Sequence, residues 1–469
     1  MRRPMPAAAL YICALLAPLA GCPDRELAAV TPELEGSESK TILGTNRELD
    51  LLFVIDNSGS MKEEQTSLVT NFTNFINVLR VLPGGLPDLH IAVVTSDLGN
   101  NSATVNIAKC VNDGDAGAMQ TGGVVFSNGA RFLSDVRDPQ NPVNRIKNYA
   151  QDPVVNGDLA AAFAKMADVG IDGCGFEQHL GAIEKSLVNN PMNAGFLRPN
   201  AVLAIVIIAD EDDCSANSAS FFGNSAELGV LENFRCTAEG IVCGPNDNSD
   251  IRRAGNYSDC RPRETSPHMR KVADVTAAIR RLKPFPDEQI IVAAIVGPQD
   301  PFVIRNKTLT TLEVAAACTY QKPNCTPTAN ETCQQNAAPS VRLNAFVQNF
   351  PKQYQTTICK DDLADSIREV AKYVGEELNP RCFGSALVMP PVCNVTDILN
   401  YQTANETPNL LSACNATKTN LPCWHIEYNA VDCDLSLFSG QQIVIERGSI
   451  TLPPTAATKV ECEALPKVP

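Results

Sequence analysis

The stretch LDLLFVIDNSGSM, Leu49–Met61, decides the fold. Leu51-Leu52-Phe53-Val54-Ile55 is unbroken apolar chain, and it stops abruptly at Asp56-Asn57-Ser58-Gly59-Ser60. A short apolar run bounded by polar turn residues fits a strand buried on both faces. Directly after it, EEQTSLVTNFTNFINVLRVL carries Leu68, Phe72, Phe75, Ile76 and Leu79 at helical spacing. The polar turn therefore joins a buried strand to an amphipathic helix.

The same alternation continues outward. Strands are predicted over 49–55, 89–95, 201–209 and within QIIVAAIVG; helices are predicted in DLAAAFAKMADVG, EQHLGAIEKSLV, HMRKVADVTAAIRRL and DDLADSIREVAKYVGEEL. Nearly all-apolar strands alternating with amphipathic helices predict an α/β fold, a doubly wound, mostly parallel sheet covered on both faces. Long polar insertions interrupt it near 98–156, 211–266 and 298–342. If the preceding strands run parallel to the first, these loops emerge on one face and form an elaborated recognition surface. From about 379 the chain turns rich in Cys, Pro, Asn and Thr, with short β-like runs such as CWHIEY and QQIVIERG. A small disulfide-rich β domain is expected over 379–469, after an α/β domain over 45–378.

The 469-residue chain has a formal net charge of -15, so nucleic acid is a poor partner. It begins MRRPMPAAALYICALLAPLAGC. Two arginines precede an apolar stretch too short to span a bilayer, the pattern of an export signal over 1–21. Leu19-Ala20-Gly21-Cys22 resembles the lipobox of bacterial lipoproteins, which implies lipidation at Cys22 and attachment to a membrane. The outer membrane is the default destination within the envelope, with periplasmic or surface exposure. Residues 22–44 are polar with little periodicity and read as a tether.

There are 18 cysteines. Setting aside Cys13 and Cys22, the remainder falls into even regional groups: Cys110 and Cys174; Cys214, Cys236, Cys243 and Cys260; Cys318, Cys325, Cys333 and Cys359; and Cys382, Cys393, Cys414, Cys423, Cys433 and Cys462. Even groups in an exported chain imply local disulfides, with connectivity inside each group left open. Only 4 His are present and no paired C-x-x-C module occurs, which disfavours zinc.

The chemistry at the first strand end is that of a hard cation. In an open α/β sheet, ligands bind beyond the carboxyl ends of the strands. Asp56, Ser58 and Ser60 offer one carboxylate and two hydroxyls, suited to Mg²⁺, Ca²⁺ or Mn²⁺. The plainer reading is a polar helix cap without metal.

This D-x-S-x-S between a buried strand and an amphipathic helix resembles the metal-ion-dependent adhesion site of von Willebrand factor A (VWA) domains. The resemblance implies two further loops. An acid at the end of a later strand corresponds to Asp210 in LAIVIIADEDDCS. Aligned on Gly181-Ala182-Ile183, the position usually held by Thr falls on Glu177, a departure from the family pattern. Glu177 is read either as a ligand or as an acid at a helix N-terminus. Glu211, Asp212 and Asp213 read as a solvated acidic rim, with a second Ca²⁺ as the alternative. With so many carboxylates the ion is a weak electrophile and draws an acidic partner less strongly.

No phosphate loop, G-x-S-x-G elbow or H-E-x-x-H is found, so no enzyme is expected. The leading expectation is a lipid-anchored envelope protein with an adhesion role, binding a protein or glycan partner through a divalent metal. The alternative is an assembly or structural factor in which the metal only stabilises loops and the C-terminal domain binds.

Overall fold

The computed structural model describes residues 36–465 except 44–46, 83–84, 101–105, 142, 247–249, 322–332, 361, 380, 432, 434, 436, 451 and 454–455. The signal sequence and Cys22 lie outside the described residues.

The central sheet has seven strands: β2 (Glu48–Ile55), β3 (Asp88–Thr95), β4 (Leu133–Arg137), β5 (Arg145–Lys147), β6 (Val202–Ile208), β10 (Ile290–Val296) and β15 (Lys352–Thr357), in the order β15-β10-β6-β2-β3-β4-β5. A six-stranded sheet joins β1 (Ser37–Ile42), β20 (Ala457–Glu463), β16 (Cys393–Leu399), β17 (Thr407–Ala413), β18 (Cys423–Tyr428) and β19 (Gln441–Glu446) in that order. Three small sheets complete the set. They are β7 (Ile241–Val242) with β9 (Arg261–Pro262); β8 (Gly255–Tyr257), β11 (Phe302–Asn306) and β12 (Leu312–Val314); and β13 (Cys318–Gln321) with β14 (Gln334–Ala337).

This corrects the expected doubly wound, mostly parallel sheet. Among the described strands fifteen pairings occur, and ten of them are antiparallel. The central sheet is itself mixed, because β3–β4 and β4–β5 pair antiparallel beside the parallel ladder from β15 to β3. The architecture is mixed α/β. Four of the ten antiparallel pairings belong to the C-terminal sheet, where strands were expected, and the other six involve the insertions. They read as polar loops, yet their half-exposed strands satisfy backbone groups locally as hairpins, without an apolar run.

Among the described residues eight α-helices pack on these sheets: α1 (Lys62–Arg80), α2 (Leu159–Ala167), α3 (His179–Leu187), α4 (Phe234–Gly240), α5 (Val272–Arg280), α6 (Pro286–Gln289), α7 (Val341–Gln348) and α8 (Ala364–Leu378). On one face of the central sheet, Phe53 of β2 meets Phe72 and Phe75 of α1 and Phe163 of α2; the Phe72 and Phe163 ring centroids are 3.5 Å apart. Burying each such ring contributes roughly 1.5–3 kcal/mol. The other face takes Leu180 and Ile183 of α3, Val275 and Ile279 of α5, and Phe346 of α7 against Leu52, Val54 and Ile205. Successive β2 side chains thus feed two separate cores, which is why the Leu51–Ile55 run has no polar position.

Residues 37–42, expected as part of a tether, form β1. It pairs antiparallel with β20 from Ser37↔Glu463 to Ile42↔Thr458. The C-terminal sheet therefore takes its edge strand beside β20 from the other end of the described chain. Seven disulfides are described: Cys110–Cys174, Cys214–Cys236, Cys243–Cys260, Cys318–Cys359, Cys382–Cys433, Cys393–Cys462 and Cys414–Cys423. Each stays inside its regional group. Such bonding belongs to a protein that matures outside the reducing cytosol. Among the described residues no helix is long and apolar enough to cross a membrane.

Candidate metal centre

β2 and β6 are parallel neighbours with Ile55 opposite Ile208, and Asp56 donates its backbone N–H to the Ile208 carbonyl at 3.0 Å. Asp56 and Asp210 therefore leave adjacent strands at the same end of the sheet. The turn after Asp56 folds on itself. Ser58 donates its N–H to Asp56 Oδ1 at 2.7 Å, and the Ser58 and Ser60 hydroxyls lie 3.0 Å apart. Ser60 in turn reaches the Asp210 carboxyl group and favours its charged form. Asp56, Ser58 and Asp210 are buried, whereas Gly59 and Ser60 are exposed, so the group opens to solvent at Ser60.

Glu177 enters from the segment ahead of α3. Gly173 donates its N–H to the Asn57 carbonyl at 2.9 Å, and Cys110–Cys174 pins the next residue to the first insertion. Gln178 is fixed on both sides, its N–H to the Ser96 carbonyl at 2.9 Å and its side-chain amide to the Gly99 carbonyl at 2.8 Å. The Glu177 carbonyl accepts the Cys214 N–H at 2.7 Å, joining this segment to the one after β6. Glu177 is 2 % exposed.

These contacts bring the carboxyl groups under one field. Burial is the main cause that raises the Glu177 pKa well above the ordinary value, followed by the charges of Glu211 and Asp56. Burial does the same for Asp210, followed by Asp56 and Glu211. Glu211 is raised by burial and then by the charge of Asp56. Burial opposes charge on His179, yet nearby Asp56, with Asp213 and Asp212, outweighs it and raises the imidazole pKa. His179 Nε2 lies 3.6 Å from Asp56 Oδ2, beyond a hydrogen bond but within ion-pair range.

Several buried polar atoms here lack a hydrogen-bond partner: Asp56 Oδ2, Asn57 Oδ1, Asp210 Oδ1 and both ring nitrogens of His179. A buried carboxylate oxygen with no partner is costly, and a cation at hand would remove the cost. The donor set of two aspartates and two hydroxyls is hard oxygen throughout, as Mg²⁺ or Ca²⁺ requires. Among the described residues, no group of three or more His, Cys, Asp or Glu is placed to hold a metal ion. An ion would depend on the serine hydroxyls as well.

The solvated acidic rim is corrected in part. Asp212 accepts the N–H groups of Val341, Arg342 and Leu343 at 2.9–3.1 Å and so caps α7. Asp213 accepts the Leu180 N–H at 2.9 Å and receives Arg342 Nε and Nη2, both at 3.0 Å. Both acids are consumed by structure, and neither is available to a second ion. Glu211 was the member of that run to join the site.

Other participants carry no local signal in the sequence. Gln65 donates to the Asp56 carbonyl at 3.1 Å and the Gly170 carbonyl at 2.9 Å. From the β13–β14 hairpin, Gln335 donates to the Ser60 carbonyl and to Glu64 Oε2, the latter at 3.1 Å, while Tyr320 donates to Glu64 Oε1 at 2.7 Å. His90 and Trp424 are structural. His90 Nδ1 lies 2.8 Å from the Phe196 carbonyl, and the Trp424 indole donates to the Leu411 carbonyl at 3.1 Å.

No family model and no curated protein matches the chain. Among solved structures it is distantly similar to the pilus adhesin SpaC of Lactobacillus rhamnosus GG, with 12% identity over 91% of this chain and 41% of that one, TM-score 0.31. It is similar to the pilus adhesin RrgA of Streptococcus pneumoniae at 10% identity over 91% and 58%, TM-score 0.26. It is also similar to the human COPII-coat protein Sec24c at 9% identity over 91% and 46%, TM-score 0.30. The chain thus spans about half the length of these proteins, or less.

Proposed function

We propose that this chain is a non-enzymatic, lipid-anchored protein of the bacterial cell envelope. It captures a protein or glycan partner through a divalent cation held at the end of β2. Asp56, Ser58, Ser60 and Asp210 would hold the ion, with Glu177 completing the set. The arrangement resembles a metal-ion-dependent adhesion site. When bound, the ion supplies a Lewis-acidic centre to which a partner's oxygen can bond. The chain's own contribution is to fix five side chains on two strand ends and a disulfide-pinned loop, so little ordering is left to pay for on binding.

The observation that carries this reading is the pair of orphaned buried oxygens, Asp56 Oδ2 and Asp210 Oδ1, beside two hydroxyls. A merely structural turn would have satisfied them. Glu177 supports it too. The helix-terminus role open to that residue is filled by Asp213, which leaves the Glu177 carboxyl group for the site. The likeness to solved structures, at TM-scores below 0.5, bears no part of the reading.

Calorimetric titration with Mg²⁺ and Ca²⁺ tests it. Wild type should bind one ion at the site and Asp56→Ala should bind none. Glu177→Thr should retain an ion with altered preference. Equal affinity in wild type and Asp56→Ala would dispose of the site. The anchor is tested separately by mass spectrometry of the mature amino terminus, where an unmodified Cys22 would end the lipoprotein reading.

A further inference from the structure

A cleft of about 480 Å³ opens beside the candidate site, and Glu177 and Glu211 lie in its wall. Phe176, Leu231, Phe234 and Leu312 make much of the remaining lining, the last three half-buried. The charged groups around it are mostly committed. Asp212 caps α7, and Asp213 is paired with Arg342. Glu232 meets Lys307 at 3.3 Å, and Glu313 meets Arg305 at 2.7 Å. Glu177 and Glu211 share one wall: Glu177 is buried, and Glu211 takes the Asn233 amide at 3.3 Å.

Glu177 is buried in this wall and Glu211 is half-buried. Next to them, Asp56 Oδ2 and Asp210 Oδ1 are buried and unpartnered. A divalent ion offsets two of these four carboxylates and leaves an excess of negative charge facing the cleft. A carboxylate-bearing partner would meet that excess as repulsion. A lysine or arginine would meet it as attraction, and its aliphatic stem would lie along the apolar wall while the head reaches the acids.

We propose that the cleft binds a partner polypeptide segment that presents a lysine or arginine between apolar side chains, with Glu211 as the acid that receives the cation. This rests on the metal-dependent reading above and names the partner chemistry of the same site. The partner then engages through a cation beside the metal, and an acidic side chain is rejected there.

The test uses the full chain in saturating Mg²⁺ and three short blocked peptides, Leu-Lys-Leu, Leu-norleucine-Leu and Leu-Glu-Leu, followed by calorimetry. The lysine peptide should bind at least about tenfold more tightly than its norleucine counterpart, and the glutamate peptide should not bind. This comparison needs no variant, so folding does not enter. Glu211→Gln, measured at a Mg²⁺ concentration that saturates the variant, should weaken the lysine peptide about tenfold or more and leave the norleucine peptide unaffected. Asp56→Ala in the same Mg²⁺ should bind no ion at the site and still prefer lysine to norleucine, which separates failure of the metal reading from failure of this one. Equal binding of lysine and norleucine peptides, or an unaffected Glu211→Gln, would overturn the proposal.

Discussion

Asp213 accepts the backbone N–H of Leu180 at 2.9 Å, so the first turn of α3 is capped by a residue 33 positions away. The same carboxylate takes Arg342 at 3.0 Å and the Ser215 hydroxyl at 2.5 Å. All three partners are buried, and Arg342 is 1 % exposed. Asp213→Ala would strip the cap and leave a guanidinium unpaired inside the protein. Breaking one side of a buried pair costs about 3–5 kcal/mol. Denaturant unfolding should show a loss of that order, and a loss under about 1 kcal/mol would mean that solvent reaches Arg342.

Cys110–Cys174 fixes the segment carrying Glu177 to the first insertion. Replacing both cysteines with serine should lower stability by about 2–4 kcal/mol, the usual effect of a native disulfide. It should also weaken metal binding, because Glu177 would have to be ordered at the moment of binding. Thermal unfolding and calorimetry on one sample read both effects. Unchanged metal affinity in a folded double variant would show that Gly173 and Gln178 hold Glu177 by themselves.

The carboxyl cluster makes a pH prediction. Burial first, and neighbouring carboxylates second, raise Glu177, Asp210 and Glu211 in the folded protein. The native state therefore binds protons more tightly than the unfolded chain, whose carboxyl groups titrate near about 4. Stability is fully present below that value and is lost as pH rises toward the folded values. In chelator, the melting temperature should fall as pH rises above the ordinary carboxylate range. Saturating Ca²⁺ should recover it, with a larger rise at the higher pH. A calcium effect that does not change with pH would argue that these acids do not face the ion.

The strand, the turn and the first helix were legible because their signals are local. Leu51–Ile55 is apolar for two cores at once, and Asp56, Ser58 and Ser60 are neighbours in the chain. The four central helices predicted from spacing all form, trimmed at their ends. What was hidden depends on distant pairing. SESKTI in β1 is polar and alternates weakly, so nothing marks it as the partner of β20. Glu211, Asp212 and Asp213 read alike as surface acids, and only helix ends contributed by α3 and α7 turn two of them inward. Gln335 lies 275 positions from the Ser60 carbonyl it binds, and no spacing rule reaches that far. The antiparallel hairpins within the insertions were missed for the reason that they need no apolar run.

Gly173 provides the sharpest test of how the two loops of the site meet. A Cβ placed there would lie 2.2 Å from Asn57 Oδ1 and 2.4 Å from its Cγ, far inside contact distance. Asn57 follows Asp56 directly, and its carbonyl accepts the Gly173 N–H at 2.9 Å. Gly173→Ala therefore cannot be absorbed by rotating a long flexible side chain. Either Asn57 leaves its buried position, or the Glu177 segment lifts from the turn. Overpacking of this kind costs about 1–3 kcal/mol. If the site is assembled by this contact, the same substitution should lower Mg²⁺ or Ca²⁺ affinity by about tenfold, since Glu177 moves away from Asp56. Asn57→Gly in the Gly173→Ala background relieves the clash and should restore much of both losses. Rescue of stability without rescue of metal binding would show that the Asn57 side chain itself shapes the site. No loss in Gly173→Ala at all would mean that the loop can shift freely, and the claim that it is pinned at Glu177 would fall.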